Sequence, residues 1–272
     1  WSSDVCSSDL ERALHAESTA QRALAASEQD AASARASLEF LTDALTAAAP
    51  DVAMSRQVGV RDLLDAARRK LEARSAVDGS FTQRLQRLLA TLYAQLGETR
   101  IARDLMRAGL EGIAPADSAD ALRLADDYAE YSSILGLVED GAGSLAAAQT
   151  AAGWREQFAP EDDVLRVRSL QTLGMVSHRG GKDEEAIDLI RKAYRLGFDK
   201  SIADVDSSIE SAQLLASLLA TRGDCEEALK VADGGLALAK AKLPSDAPSN
   251  LPLMRARASA LNACGRPTDA EP

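Results

Sequence analysis

The sequence predicts an all-α chain built as a stack of helix hairpins. Three observations predict it. Glycines recur at near-equal spacing: Gly97, Gly141, Gly181, Gly223 and Gly265 stand 44, 40, 42 and 42 residues apart. Small residues recur at fixed distances from them. The composition is rich in Ala and Leu, with aromatic content of only 4%. A period in this range marks a helical repeat array, in which each hairpin buries its apolar face against the next.

Gly181 shows the local grammar best. Leu170, Leu173 and Gly174 precede it, and Ala186, Ile190, Ala193 and Tyr194 follow. Seven residues before each glycine lies a small residue, Ala90, Gly174, Ala216 or Ala258, with Ile134 the exception. Five after it lies an alanine: Ala102, Ala146, Ala186, Ala228 or Ala270. Twelve after it come Gly109, Gly153, Ala193 or Gly235, each followed by the bulkier Leu110, Trp154, Tyr194 or Leu236. Small side chains let two helix axes approach closely, and bulky neighbours fill the groove to the next hairpin. The glycine ends the first helix in a left-handed cap. The next helix opens on a cap residue: Asp224 and Glu227 have capping-box spacing, as do Ser80 and Gln83.

This pattern resembles the tetratricopeptide repeat, in the variant of about 42 residues found in kinesin-light-chain-like arrays. The resemblance covers residues 79–272 as four repeats and a partial fifth, and is weakest in the second, where Gly141-Ala142-Gly143 loosens the turn. It implies an α-solenoid, a right-handed superhelix of hairpins, with an N-terminal helical extension over residues 11–78. The fifth repeat stops where its second helix should begin. Either the chain is cut there, or Met254 to Cys264 forms a single closing helix.

Ahead of the array, residues 1–10 (WSSDVCSSDL) match one reading frame of a common sequencing-library adapter and are set aside as non-native. The chain is therefore expected to be a piece of a longer protein. Residues 11–48 read as one alanine-rich helix without a sustained heptad. A second helix is expected from about Val60 to Arg74, with Leu63, Leu64, Ala67 and Leu71 on one face. The Phe40-Leu41 segment ending near Ala49-Pro50, followed by Val58, Val60-Arg61-Asp62-Leu63-Leu64-Asp65 and then repeats, is similar to the C-terminal region of a group of bacterial serine/threonine protein kinases. That resemblance covers about residues 20–110. It implies a cytoplasmic kinase domain, a membrane helix and then this sensor-like region, which would put the repeats outside the cytoplasm. No glycine-rich phosphate loop, HRD or DFG motif is present, so catalysis would belong to the part upstream. The alternatives are the repeat tail of a winged-helix transcriptional regulator and a stand-alone, cytoplasmic scaffold.

The formal charge of −11 argues against nucleic-acid binding by this chain, because phosphate attraction dominates such affinity. No run of 18 apolar residues occurs, so no membrane span is expected. Cys225 and Cys264, near turns in successive hairpins, read as two ordinary thiols, with a disulfide between them as the alternative, and no Cys/His cluster suggests a metal. No cofactor and no catalytic constellation is expected. Asp183-Glu184-Glu185 suits the positive end of a helix dipole.

What remains is binding. Residues 13, 10, 6 and 3 before each turn glycine share one face of the first helix of each hairpin, the face expected to line the concave groove. On that face stand Arg84, Arg87 and Thr91, then Tyr128 and Tyr131, then Arg168, Gln171, Met175 and His178, then Glu210 and Gln213, then Arg255. Arginine forks suit carboxylates, and tyrosines give rigid contact area with a polar tip. The expected ligand is a protein segment, acidic or ending in a free C-terminal carboxylate.

Overall fold

The computed structural model describes residues 59–74, 79–199, 204–244, 247 and 250–266. The adapter-like segment, the alanine-rich helix of residues 11–48 and the Phe40–Pro50 region lie outside the described residues, as does Ala270. The described chain is all-α and falls into two compact units, one up to Leu110 and one from Glu111 onward.

The first unit holds α1 (Val60–Arg74), α2 (Gly79–Gln95) and α3 (Thr99–Leu110). α2 and α3 form a hairpin, and α1 packs against α2. Leu64, Ala67 and Leu71 are buried on the face that their spacing gives them. Tyr93 of α2 is wholly buried and donates its hydroxyl to Asp65 Oδ1 of α1 at 2.6 Å. Burial, helped by that bond, pushes the Tyr93 hydroxyl up to about 12.

The second unit holds α4 (Ser118–Leu137), α5 (Gly141–Phe158), α6 (Asp163–Arg179), α7 (Asp183–Asp199), α8 (Val205–Arg222), α9 (Cys225–Lys242) and α10 (Asn250–Ala263). The pairs α4/α5, α6/α7 and α8/α9 are hairpins. Their first helices α4, α6 and α8 also contact one another in sequence, and α10 closes on both α8 and α9. The core runs between hairpins, with Ile190, Leu215, Leu219 and Leu253 all but excluded from solvent.

The turns correct the register read from the glycines. Apart from Gly112, which follows α3, left-handed backbone among the described residues occurs at Gly97, Glu139, Gly181, Gly223 and Gly265, and Glu139 is the one non-glycine residue to adopt it, at φ 64°. These positions stand 42, 42, 42 and 42 apart, so the period is uniform. Gly141, which sequence spacing nominates as the second turn, is instead the first residue of α5. All five turns close identically. The left-handed residue donates to the carbonyl three back and the next residue to the carbonyl five back, as in Asp140 to Leu135 (3.0 Å) and Asp224 to Leu219 (2.9 Å).

With the register moved by two, Ile134 ceases to be an exception. The small residue seven before the turn is Ser132, and the residue five after it is Ser144 rather than Ala146. Both are buried at the point where α4 meets α5. Each hydroxyl donates to the other's carbonyl at 2.8 Å. The corresponding pairs Ala90/Ala102 and Ala216/Ala228 are also buried.

Two further expectations are corrected. Cys225 and Cys264 are joined in a disulfide, with Cα atoms 5.3 Å apart. Their turns belong to successive hairpins, and stacking brings the start of α9 against the residue that follows α10. The Asp224–Glu227 capping box does not form. Asp224 is the N-cap of α9 but makes no side-chain cap bond, because its carboxylate is held by Arg222. Glu227 reaches across to Arg191 of α7 instead, at 3.1 Å. Side-chain caps do form at Asp117, Asp140, Asp162 and Asp204.

Candidate binding pocket

The first helices α4, α6 and α8 wall a pocket of about 600 Å³ in the second unit. α4 contributes Ser132 and Ser133. α6 contributes Arg168, Gln171, Met175 and Arg179. α8 and its cap contribute Asp204, Ser207 and Glu210, and Arg155 enters from α5 behind.

Arg155 is the unusual member. It is 4% exposed, yet it is charged. Its Nη2 donates to Asp126 Oδ1 of α4 at 2.7 Å, while Nε and Nη1 have no acceptor among the described residues. A buried guanidinium holding a single bond is costly, and such orphaned donors in a native fold call for an explanation. It lies sixteen residues after the turn of its repeat, where the next two repeats carry Gly197 and Ala239. At Gly197 the neighbouring helix is so close that a Cβ would stand 2.8 Å from Ser208 Oγ. Arginine cannot occupy such a slot without parting the helices. It lines this pocket and, on the other side, a second hollow bounded by α6 and α7.

Two other arginines flank it. Arg179 ends α6 and lies across Gly136 of α4, its Nη1 only 2.7 Å from where a Cβ would be. It makes no hydrogen bond or ion pair with a described residue. Arg168 donates to Asp204 Oδ2 at 2.9 Å. Asp204 also accepts from the Ser207 hydroxyl at 2.7 Å and the Ser207 amide at 3.2 Å. Burial pushes the Asp204 carboxyl up, but the Ser207 bonds and Arg168 outweigh it and hold it below its ordinary value. Gln171, buried, donates to the Ser207 carbonyl at 2.8 Å and Ser211 Oγ at 2.9 Å, which pins α6 to α8.

The α8 wall also carries a carboxylate. Glu210 stands on the α8 wall and makes no hydrogen bond or ion pair with a described residue. The protein around it desolvates its carboxylate and raises its proton affinity; Asp204 adds to this and Arg168 opposes it.

The structure therefore places the sequence-nominated residues unevenly. Arg168, Gln171 and Met175 line the pocket together. His178 turns to its own hairpin, its Nδ1 2.7 Å from Asp183 Oδ1. Tyr128 faces its own hairpin too, edge-on to Trp154 at 5.2 Å, and Tyr131 also stays outside the lining. The two-residue register shift accounts for both tyrosines: the positions equivalent to Arg168, Met175 and His178 are Asp126, Ser133 and Gly136. Gln213 is half-buried on α8 and Arg255 is exposed on α10, neither in the lining. In the first unit, Arg84 is exposed, Thr91 hydrogen-bonds back to the Arg87 carbonyl at 3.4 Å, and Arg87 donates to the Gly109 carbonyl of α3 at 2.7 Å. Sequence spacing missed Arg155 and Arg179, whereas Glu210, thirteen residues before Gly223, falls on the nominated face and does line the pocket. Arg155 could have been found as the one charged residue in a column otherwise occupied by Gly197 and Ala239.

Among the described residues, Cys225, Glu226 and Cys264 are three potential metal ligands lying together, but the two sulfurs are spent on each other. No described helix is long and apolar enough to cross a membrane.

No family profile and no curated protein matches the chain. Solved structures do. A kinesin light chain-type protein of Podosopora anserina with nearly identical TPR-like repeats matches at TM-score 0.54 and 18% identity, covering 69% of this chain and 89% of that one. BtubC (BKLC) from P. vanneervenii matches at TM-score 0.58 and 15% identity, covering 79% and 87%. A Rap protein complexed with Competence and Sporulation Factor matches at TM-score 0.58 and 16% identity, covering 77% of this chain and 56% of that one. At these identities the likeness speaks for the backbone alone, and it agrees with the uniform 42-residue period: the chain is built as a tetratricopeptide-repeat-like α-solenoid.

Proposed function

We propose that this chain is a protein-interaction module, without catalytic activity of its own, that holds a segment of a partner protein in the pocket between α4, α6 and α8. The observation that carries this is Arg155: a buried guanidinium at the wall of a concave space, ion-paired with Asp126 and with two further nitrogens that lack acceptors among the described residues. A carboxylate is the acceptor best matched to such donors. The partner segment therefore carries an acidic side chain or a free C-terminal carboxylate. The fold supports the reading, since stacked hairpins characteristically work by binding along their inner face. One chain of this fold, the Rap protein, is complexed with Competence and Sporulation Factor.

The wider context we propose is the regulatory C-terminal part of a bacterial serine/threonine kinase. What supports it is the Val60-Arg61-Asp62-Leu63-Leu64-Asp65 segment leading into the repeats. The disulfide favours a compartment where thiols stay oxidised, in keeping with repeats on the outer side of a membrane.

The test is direct binding, read by fluorescence anisotropy with labelled peptides ending in Asp or Glu. Arg155→Met keeps most of the side-chain volume and removes the charge. It is expected to weaken binding at least about tenfold, a loss of about 1.4 kcal/mol. Unchanged affinity in a folded Arg155→Met protein overturns the assignment of the pocket.

A further inference from the structure

A third group stands beside the disulfide at the junction of α9 and α10. Cys225 is the first residue of α9 and Cys264 follows α10, and stacking holds their Cα atoms 5.3 Å apart. The Oε1 atom of Glu226 lies 3.9 Å from Cys264 Sγ, and this carboxylate and the two sulfurs all lie within 4.8 Å of one another. The neighbouring carboxylates are engaged elsewhere: Asp224 is held by Arg222 and Glu227 by Arg191. Glu226 makes no ion pair with a described residue. A disulfide sulfur has no hydrogen to donate, so Glu226 gains no hydrogen bond from the sulfurs while they are joined. The two cysteines are half-buried and Glu226 is exposed, which leaves one side of the cluster open to water.

We propose that Cys225, Glu226 and Cys264, once the disulfide is reduced, form a binding site for a zinc ion. A dithiol reductant breaks the S–S bond: two electrons and two protons pass to the sulfurs, and the reductant leaves as its own disulfide. Zinc then displaces one proton from each thiol, and water fills the fourth position on the open side. The spacing suits this. With zinc–sulfur distances of about 2.3 Å and a zinc–oxygen distance of about 2.1 Å, a tetrahedral site has a sulfur–oxygen edge of about 3.6 Å and a sulfur–sulfur edge of about 3.8 Å. Glu226 already stands near the first value in the disulfide form. The second requires only that the freed sulfurs turn apart about their Cα–Cβ bonds. Zinc takes over the disulfide's role where thiols are kept reduced, fastening α9 to α10. Attack by a disulfide oxidant, itself reduced to its dithiol, rejoins the sulfurs and releases the ion. The site lies apart from the pocket and does not depend on what the pocket binds.

The test uses the full chain carrying Cys6→Ser, which leaves Cys225 and Cys264 as its only cysteines. The chain is reduced with a phosphine, which adds no competing thiol, and titrated with cobalt(II). Thiolate-to-cobalt absorption reports how many sulfurs bind, and zinc is then added in competition. The expected result is one cobalt per chain with the absorption of two thiolates, displaced by zinc, and no such absorption in the oxidised chain. Glu226→Gln is expected to keep both sulfurs bound but to weaken zinc at least about tenfold. A reduced chain without thiolate-to-cobalt absorption overturns the proposal. So does unchanged zinc affinity in Glu226→Gln, or in the double variant Cys225→Ser, Cys264→Ser. Circular dichroism follows the fold throughout. If reduction melts the C-terminal helices, their return on adding zinc supports the site, and their failure to return overturns it.

Discussion

The hairpins α4/α5 and α8/α9 are built on one plan and differ where it matters. In α8/α9 the turn is Gly223, at φ 96°, and the helices meet through Ala216 and Ala228. Sixteen residues after the turn, Ala239 is buried. In α4/α5 the turn is Glu139, the helices meet through paired serines, and the equivalent of Ala239 is Arg155. The first is a hairpin optimised to stack. The second accepts a left-handed glutamate, a polar contact and a buried charge, each a local cost. Of these departures Ser132 and Arg155 line the pocket, and local rules are characteristically broken at functional sites.

The largest expected effect sharpens the stacking side of the comparison. Leu219, fully buried between α8 and its neighbours, should lose about 2–5 kcal/mol on change to Ala, read from urea unfolding monitored by circular dichroism. A loss well below that range would show that the α8/α9 core is loosely packed and would blur the contrast.

Next come the turns. Exchanging them should move stability in opposite directions. Glu139→Gly relieves a left-handed residue and should gain up to about 1 kcal/mol, while Gly223→Ala should lose about 1–2 kcal/mol. Matched thermal melts measure both. A loss at Glu139→Gly would mean that this side chain earns its place through contacts beyond the turn.

The smallest effect concerns the serines. Ser132→Ala and Ser144→Ala should each lose about 1 kcal/mol, because each removes one reciprocal bond and leaves a buried carbonyl under-satisfied. The double change recreates the Ala216/Ala228 arrangement and should lose less than the sum of the two. A double-mutant cycle reads the difference, and simple additivity would show that the two bonds are independent.

The same comparison explains how far the sequence was legible. In α8/α9 the turn glycine and the two alanines followed from spacing, because each position was filled by the residue its geometry prefers. In α4/α5 the geometry was the same but the residues were not. A glutamate stood where glycine was expected, Gly141 offered a decoy two residues on, and Ala146 completed the false register. The error carried straight into the site, since a two-residue shift turns a helix by more than half a turn and moved Tyr128 and Tyr131 onto the inner face on paper. Arg168, Gln171 and Met175, counted from the true turn Gly181, line the pocket wall. Arg155 lies off the face that spacing nominates because it enters from a second helix, and only its charge in a column of small residues marks it. The disulfide was only the second reading of the two cysteines, because 39 residues separate its ends along the chain and only the stacking of hairpins makes them neighbours.

That cross-link also decides how the chain would carry mechanical load. Cys225 opens α9 and Cys264 follows α10, so both helices lie inside one covalent ring. Tension entering from beyond residue 264 passes through the sulfurs to the start of α9, and α9 and α10 drop out of the load path. A pull on that end would be felt first at the Gly223 turn and along α8, one of the pocket walls, without unravelling the helices in between. Reduction would reroute the same force through α10 and α9 in turn, peeling them before α8 feels it.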